Sequence, residues 1–179
     1  MSAVGLTPLQ DKVEALRQAP EPQDVTKVKA VLGKVNFYQK FIPSRVEVLE
    51  PLTRLLSHNA EGQWGAEQRR ALQTVQDILC SEGVLVHYSL DLPVVLSVDA
   101  SPYGVGAVLA HVVPDGDERP VAYASRTMSS AEKNYAQFDK EGLAIVFGVR
   151  KFHQYLAGRN FVVLTDHKPL ASSKIARRR

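Results

Sequence analysis

VVLSVDASPYGVGAVL, residues 94–109, is an apolar run that ends in one carboxylate, Asp99, and continues at once into a hairpin. In a strand, successive side chains alternate between the two faces, so the apolar residues at positions 94, 96 and 98 lie opposite Asp99. A strand-end acid can serve as a metal ligand, but it is more often a turn-former or a cap. The stretch therefore predicts a strand and offers one candidate acid.

Two later segments contain further candidate acids. The segment Ser130–Ala157 has helical periodicity, with an apolar stripe formed by Phe138, Ile145, Val149, Phe152 and Leu156. Glu141 falls inside this stripe, so it is expected to point at whatever the helix packs on. Residues 161–165, FVVLT, predict another short buried strand, and Asp166 follows it. Asp99, Glu141 and Asp166 are therefore expected to meet at one sheet edge.

Three carboxylates held close together disfavour each other's ionisation unless cations neutralise them. Hard divalent cations prefer oxygen ligands, and Mg²⁺ is the first candidate. The alternative is that the three acids are unrelated and solvated. Spacing alone leaves this alternative open.

Composition limits the class of protein. The 179 residues allow one ordinary domain or two small ones, and Cys80 is the single cysteine, which excludes a disulfide framework or a cysteine-rich metal cluster. No apolar run reaches the length of a membrane span, and the first residues lack the order of a secretory signal. We expect an intracellular chain, cytoplasmic or nuclear, without a membrane partner. Its net charge of +3 suits a polyanionic partner without requiring one.

The first 83 residues have helical patterns. Thr7 and Pro8 predict a brief opening helix, and Asp24 is placed to cap a second one. The stripe of this second helix runs to Pro43, and Pro51 is expected to open a further short helix. Lys27 and Lys34 lie on one flank of the stripe, where they form either an ordinary solvated face or a track for a phosphate backbone.

From Val84 onward the hydrophobic period changes to two, which predicts a domain boundary. Three strands are expected to form an antiparallel meander. Ser129 and Glu132 then have the spacing of a capping box for the long helix. Because a helical crossover permits parallel pairing, the predicted fold class is α+β: a small helical subdomain followed by a mixed sheet with one long helix.

Several motifs resemble the RNase H domain of Gypsy-type LTR retrotransposon polyproteins: VDASPYGVGAVL, RPVAYASRTMSSAEKNY, KEGLAIV, FHQYLAGRNF and LTDHKPL. Upstream, VKAVLGKVNFYQKFIP, PLTRLL and the segment around Trp64 resemble the thumb and connection of the preceding reverse transcriptase. The resemblance implies a thumb- and connection-like region over residues 1–83 and an RNase H-like domain over residues 84–170. Residues 171–179 form a basic tail that does not resemble the family.

The resemblance implies hydrolysis of the RNA strand in an RNA–DNA hybrid by a two-metal mechanism that depends on Mg²⁺, with Mn²⁺ as the alternative ion. Asp99 would bridge the ions, and Glu141 and Asp166 would hold one ion each or orient its waters. Glu141 is preferred to its neighbour Asp139 because the family's acid stands just before the Leu-Ala-Ile run. Here that run is residues 143–145.

Further positions are expected to touch nucleic acid. Recognition of the RNA 2′-hydroxyl would fall to Ser101 and to the backbone amides near Gly104. His167 belongs to the DHKPL motif, and the flank with Lys27 and Lys34 would track phosphates.

The family pattern also continues past the third acid, with a fourth metal-binding aspartate, and the polymerase palm precedes the thumb. Neither resembles anything in this chain, so we expect a truncated enzyme that is weak or inactive alone. It would need the rest of the polyprotein or another subunit. The alternative is a catalytically dead or host-adopted module that binds nucleic acid or protein.

Overall fold

The computed structural model describes residues 21–22, 24–56, 64–80 and 85–165. Within these ranges, three α-helices precede the sheet: α1 Val25–Phe37, α2 Arg45–Arg54 and α3 Ala66–Cys80. The first three strands follow: β1 Val94–Ala100, β2 Gly104–Val112 and β3 Glu118–Thr127. The chain then crosses back through three helical segments to the last strand: α4 Ser130–Lys133, α5 Gln137–Lys151, α6 His153–Leu156 and β4 Phe161–Thr165.

Helix α1 begins and packs as its sequence predicts. Asp24 caps it, since its Oδ1 accepts a hydrogen bond of 2.8 Å from the backbone N of Lys27. The apolar stripe of α1 faces α2 and α3, and together they form a first hydrophobic cluster. Its members include Val31, Val35, Leu49, Leu52, Leu72 and Val75.

Two boundaries in this helical region differ from the sequence prediction. Helix α1 ends at Phe37 rather than at Pro43, because the chain tightens into a 3₁₀ turn at Gln39–Phe41. Pro51 does not open a helix but lies inside α2, which already begins at Arg45. The proline removes one helical hydrogen bond, and the helix nevertheless continues past it to Arg54. The predicted opening helix near Thr7 lies outside the described residues.

The four strands form one mixed sheet in the order β3-β2-β1-β4. Strands β1, β2 and β3 are antiparallel neighbours, which confirms the predicted meander. Strand β4 pairs in parallel with β1, from Val94 opposite Phe161 to Val98 opposite Thr165. The predicted α+β fold class with a mixed sheet is therefore confirmed. The carboxyl ends of β1 and β4 lie at the same edge.

Helix α5 packs on β1 and β2 and encloses a second hydrophobic cluster. Leu96, Leu109 and Ala144 are fully buried there, and Val94 and Val98 join them, as the predicted alternation requires. A Cβ added at Gly148 would lie 3.1 Å from side-chain atoms of both Val98 and Ala107. The helix therefore approaches the sheet closely through small residues, and larger apolar side chains flank this contact.

The single long helix predicted over residues 130–157 is wrong in one respect, because the structure divides it into α4, α5 and α6. The capping box of Ser129 and Glu132 is present, but it caps the short α4. Ala136 then has an extended backbone, with ψ 156°, and α5 starts at the next residue. The buried line of α5 runs through Glu141, Ala144 and Gly148, which leaves Phe138 52% exposed rather than in the stripe.

The helical region contacts the sheet on the side of β3. The 3₁₀ turn and α2 both contact this strand, and Tyr123 of β3 packs against the first hydrophobic cluster. The predicted domain boundary falls on residues 81–84, which lie outside the described part of the chain, so it stays a prediction. None of the described helices is both long enough and apolar enough to span a membrane.

Candidate active site at the carboxyl edge of the sheet

Strands β1 and β4 end side by side at the carboxyl edge of the sheet. Asp99 is the penultimate residue of β1. Thr165 is the last residue of β4 and pairs with Val98. Asp166 and His167, the predicted acid and the histidine that follow Thr165 in the sequence, lie outside the described residues.

Asp99 is exposed and lies on the face of β1 that points away from α5. Its Oδ1 accepts a hydrogen bond of 2.8 Å from the backbone N of Ala100, which fixes the carboxylate relative to the strand end. It lines a cleft of about 330 Å³ between the sheet and the start of α2, where Glu47 and Ser44 form part of the opposite wall. Ser44 adopts a left-handed conformation with φ 44°, which is uncommon for a residue other than glycine.

Glu141 reaches the same edge from the helical face of the sheet and is only 4% exposed. Each of its carboxylate oxygens accepts one hydrogen bond. Gln137 donates from Nε2 to Oε1 at 2.9 Å, and Thr165 donates from Oγ1 to Oε2 at 3.2 Å. The predicted inward orientation of Glu141 is therefore confirmed, and its partners satisfy a carboxylate that would otherwise be costly to bury.

Asp99 and Glu141 thus reach one sheet edge from opposite faces. Gln137 also lies 3.5 Å from the backbone oxygen of Ala100, so the side chains around Glu141 extend to the residue next to Asp99. Within the described ranges, no group of three or more histidine, cysteine or acidic side chains is placed to hold a metal ion. The described arrangement contains two of the three predicted ligands.

The predicted contacts to a 2′-hydroxyl have structural roles in the hairpin between β1 and β2. The Ser101 hydroxyl donates to the backbone oxygen of Gly104 and accepts from the backbone N of Tyr103 and of Gly104. A Cβ at Gly104 would lie 2.5 Å from the backbone oxygen of Arg126, so only glycine fits this close approach of β3. Ser101 and Gly104 also line the cleft beside Asp99.

Lys27 and Lys34 are exposed on α1, and of the described residues lining the cleft none belongs to this helix. Lys27 Nζ lies 3.7 Å from Asp24 Oδ2 in an exposed ion pair. Phe37 follows Lys34 by one helical turn and is 70% exposed. The lysines therefore belong to a surface separate from the acid edge, and sequence analysis missed the exposed aromatic ring beside them.

The acid of the capping box has a different environment from Asp99. Arg126 donates two hydrogen bonds of 2.8 Å to Glu132, and the backbone N of Ser129 donates a third. The hydrogen bonds from Arg126 are the main reason that the pKa of Glu132 falls from 4.5 to about 2. The charge of Glu132 is therefore paired with Arg126, and its role is structural.

Gln137 and Thr165 are the residues of the site that sequence analysis missed. Gln137 stands four positions before Glu141, a spacing that brings two side chains together on a helix and could have indicated the pair. Nothing local indicates Thr165, because its contact with Glu141 joins residues from two separate elements.

Comparison with known proteins places these features in a family. The chain is 35% identical over 172 residues to the Tf2-3 polyprotein of a Schizosaccharomyces pombe transposon, and equally to the Tf2-4 polyprotein. These alignments cover 95% of this chain but only 13% of each polyprotein. The chain therefore corresponds to a small part of the proteins that it matches, and the predicted likeness to retrotransposon polyproteins is confirmed.

Two solved structures have the same fold. A foamy viral protease-reverse transcriptase dRH in complex with dsDNA superposes with a TM-score of 0.74 and 23% identity, covering 91% of this chain and 29% of that one. A foamy viral protease-reverse transcriptase in complex with an RNA/DNA hybrid gives a TM-score of 0.73, again with 23% identity, covering 92% and 22%. The family of RNase H-like domains found in reverse transcriptase matches residues 64–163. Because that match covers more than half of the 179 residues, the chain belongs to this family.

Proposed function

We propose that the carboxyl edge of the sheet is a ribonuclease H site that hydrolyses the RNA strand of an RNA–DNA hybrid. The observation that supports this proposal is that Gln137 and Thr165 connect Glu141 to the ends of the parallel strands β1 and β4, and β1 carries Asp99 at this end. Asp166 would complete the set, since the register that pairs Val98 with Thr165 leads directly to Asp99 and Asp166 as the next residues. The hybrid-bound foamy viral reverse transcriptase of the same fold supports this substrate class.

The donor set suits a divalent cation. Carboxylate oxygens are hard ligands, which favours Mg²⁺ or Mn²⁺ over metals that prefer nitrogen or sulfur. Asp99 is held by one hydrogen bond to its Oδ1, and Glu141 has one donor on each oxygen, so both carboxylates retain lone pairs for a cation. Asp99, Glu141 and Asp166 would hold the ions.

Hydrolysis adds water across one phosphodiester, forming a phosphorus–oxygen bond and breaking the bond to the 3′ oxygen. Bound divalent ions supply Lewis-acid activation of the water and stabilise charge on the departing oxygen. The contribution of this chain is to fix the carboxylates before substrate arrives. Asp99 is anchored to the end of β1, and Glu141 is held from two sides inside the helix–sheet contact.

The test uses the purified chain, a hybrid labelled on its RNA strand, and Mg²⁺ or Mn²⁺. The chain alone is expected to cleave weakly, and Asp99→Asn should lower this metal-dependent cleavage by more than about 100-fold, because removing a ligand exceeds the 10–100-fold effect of its supporting groups. Asp91→Asn makes the same chemical change at an exposed loop position and should cleave like the unmodified chain. Equal cleavage by Asp99→Asn, or cleavage that survives chelation, would reject the site.

A second candidate function is binding of nucleic acid without cleavage, favoured by the exposed surface of α1. Lys27 and Lys34 are spaced two helical turns apart, and Phe37 adds an exposed ring. Cations that track phosphates and a ring that stacks on bases are the two elements of sequence-independent binding. The foamy viral structures with dsDNA and with hybrid support this class of partner.

Binding of a fluorescent hybrid at several salt concentrations tests this surface. The logarithm of the affinity should fall linearly with log salt, and replacing Lys27 and Lys34 by Ala should reduce that slope by about 0.9 for each phosphate that is no longer neutralised. Lys133→Ala removes an exposed lysine from α4 instead and serves as the matched control. Salt-independent binding, or equal slopes in all variants, would exclude the α1 surface.

A further inference from the structure

A polar network joins β1 and α5, which carry Asp99 and Glu141, to the last residue of β4, Thr165. It runs from the backbone oxygen of Ala100 through Gln137 and Glu141 to Thr165. We propose that Thr165 and Gln137 are positioning residues that hold Glu141 for metal binding and set its place relative to the two strand ends. This inference rests on the proposed ribonuclease H function and names the residues that organise its site.

The geometry of the network restricts the carboxylate on both sides. Gln137 binds Oε1 from the first turn of α5, whereas Thr165 binds Oε2 from the end of β4. Because the two donors come from different elements, rotation of the carboxylate about its last bond would break at least one of these hydrogen bonds. Glu141 is therefore confined to one orientation before any ligand binds.

Burial makes this support necessary. Glu141 is 4% exposed, so water cannot replace a missing donor as easily as at the surface. Each carboxylate oxygen can accept more than one bond, which leaves capacity for a cation while the donors stay in place. Hydrogen-bonded ligands of this kind typically lose about 10–100-fold in metal affinity when the supporting group is removed.

The position of the network in the chain links the acids to each other. Ala100 directly follows Asp99, and Thr165 directly precedes Asp166 in the sequence. A shift of β4 along β1 would therefore pull Thr165 away from Glu141 as well as changing the register of the strand ends. Thr165 couples the placement of the helical acid to the strand that leads to the third acid.

The experiment measures Mn²⁺ binding to the full chain by calorimetry, together with the melting temperature and the kcat and KM for hybrid cleavage. Thr165→Val keeps the shape of the side chain but removes its hydroxyl, whereas Thr165→Ser retains the hydroxyl. Gln137→Met removes the second donor from an exposed position of α5, so it tests the network without replacing a residue of the sheet. Thr74→Val removes a threonine hydrogen bond from α3 and is the matched control.

We expect Thr165→Val and Gln137→Met each to weaken Mn²⁺ binding by about 10–100-fold. Both should lower kcat with little change in KM. Thr165→Ser and Thr74→Val should bind Mn²⁺ like the unmodified chain. If Glu141→Gln abolishes binding but Thr165→Val and Gln137→Met do not weaken it, the positioning role is overturned and the proposed function stands. If the unmodified chain binds no Mn²⁺, the metal site itself is wrong and the inference falls with it.

Discussion

The two ends of the paired strands β1 and β4 differ in how fully their polar groups are hydrogen-bonded. At the amino end, Arg159 donates to four oxygens at 2.7–2.9 Å, which belong to the Tyr88 side chain and to the backbone of Ser89, Leu90 and Leu92. The guanidinium also lies 5.4 Å from the centre of the Tyr88 ring. Nearby, His111 is fully buried, and its two ring nitrogens contact Ser89 N and Pro93 O. Donors and acceptors are paired here.

At the carboxyl end, the described side chains supply more acceptors than donors. Asp99 receives a hydrogen bond from its neighbouring backbone, and Glu141 receives one on each oxygen. Among the described residues, no salt bridge reaches either acid, whereas Arg126 pairs with Glu132 of the capping box. The contrast indicates that hydrogen bonding stabilises the amino end, whereas the carboxylates at the carboxyl end keep unused acceptor capacity.

The largest expected effect is at the carboxyl end. Glu141→Gln should lower metal-dependent cleavage by more than about 100-fold, since it removes the charge of a proposed metal ligand. The unfolding free energy should change by less than about 1 kcal/mol, because an amide can keep one hydrogen bond to each neighbour. Activity assays and urea denaturation measure the two effects, with Glu118→Gln at an exposed position of β3 as control. A large loss of stability with unchanged activity per folded molecule would show that Glu141 stabilises the fold and does not serve cleavage.

The amino end should behave in the opposite way. Arg159→Met removes four hydrogen bonds at once and should lower the unfolding free energy by about 2–3 kcal/mol. Arg159→Lys should recover only part of this, because an ammonium cannot reproduce the fork of donors. Urea denaturation measures both. Arg119→Met breaks an exposed ion pair with Asp115 and should lower the unfolding free energy by less than about 1 kcal/mol. An equal loss for Arg119→Met and Arg159→Met would show that the four hydrogen bonds of Arg159 do not stabilise the fold.

A smaller effect distinguishes two glycines near the hairpin. Gly104→Ala places a Cβ 2.5 Å from the backbone oxygen of Arg126 and should destabilise by about 1–3 kcal/mol through backbone shifts. Gly106→Ala has its nearest contact at 3.9 Å and should fall within about 1 kcal/mol of the unmodified chain. Thermal melting compares the two variants. Equal melting temperatures would show that β3 and β2 are free to move apart beside Asp99.

The smallest effect concerns Glu132, the acid that pairs with Arg126. Its folded-state pKa of about 2 lies below the ordinary value of 4.5, so its contribution to stability is fully present above pH 4.5. That contribution should be lost as the pH falls from 4.5 towards about 2. The difference in unfolding free energy between the unmodified chain and Glu132→Gln, followed by urea denaturation against pH, measures it. A difference that stays constant across this range would contradict the Arg126 pairing.

Most of the fold follows from local patterns. Alternation over residues 94–98 gives the buried face of β1, and the Asp24 and Ser129 caps are present where their sequences predict them. The interruption of the helix at Ala136 was not predictable from the apolar stripe, because a single residue with an extended backbone does not change the hydrophobic periodicity. Phe138 was misplaced for the same reason.

Sequence patterns alone were sufficient for the order of the four strands, the mixed sheet, the strand-end position of Asp99 and the inward orientation of Glu141. These depend on periodicity and on short-range capping, which are written in neighbouring residues. The folded chain was needed to show that Thr165 donates to Glu141, that Arg159 clamps the segment before β1, and that Gly104 meets the backbone of Arg126. Each of these contacts joins residues far apart in the chain. It exists because packing of the helix and the strands brings together groups whose separation no local pattern encodes.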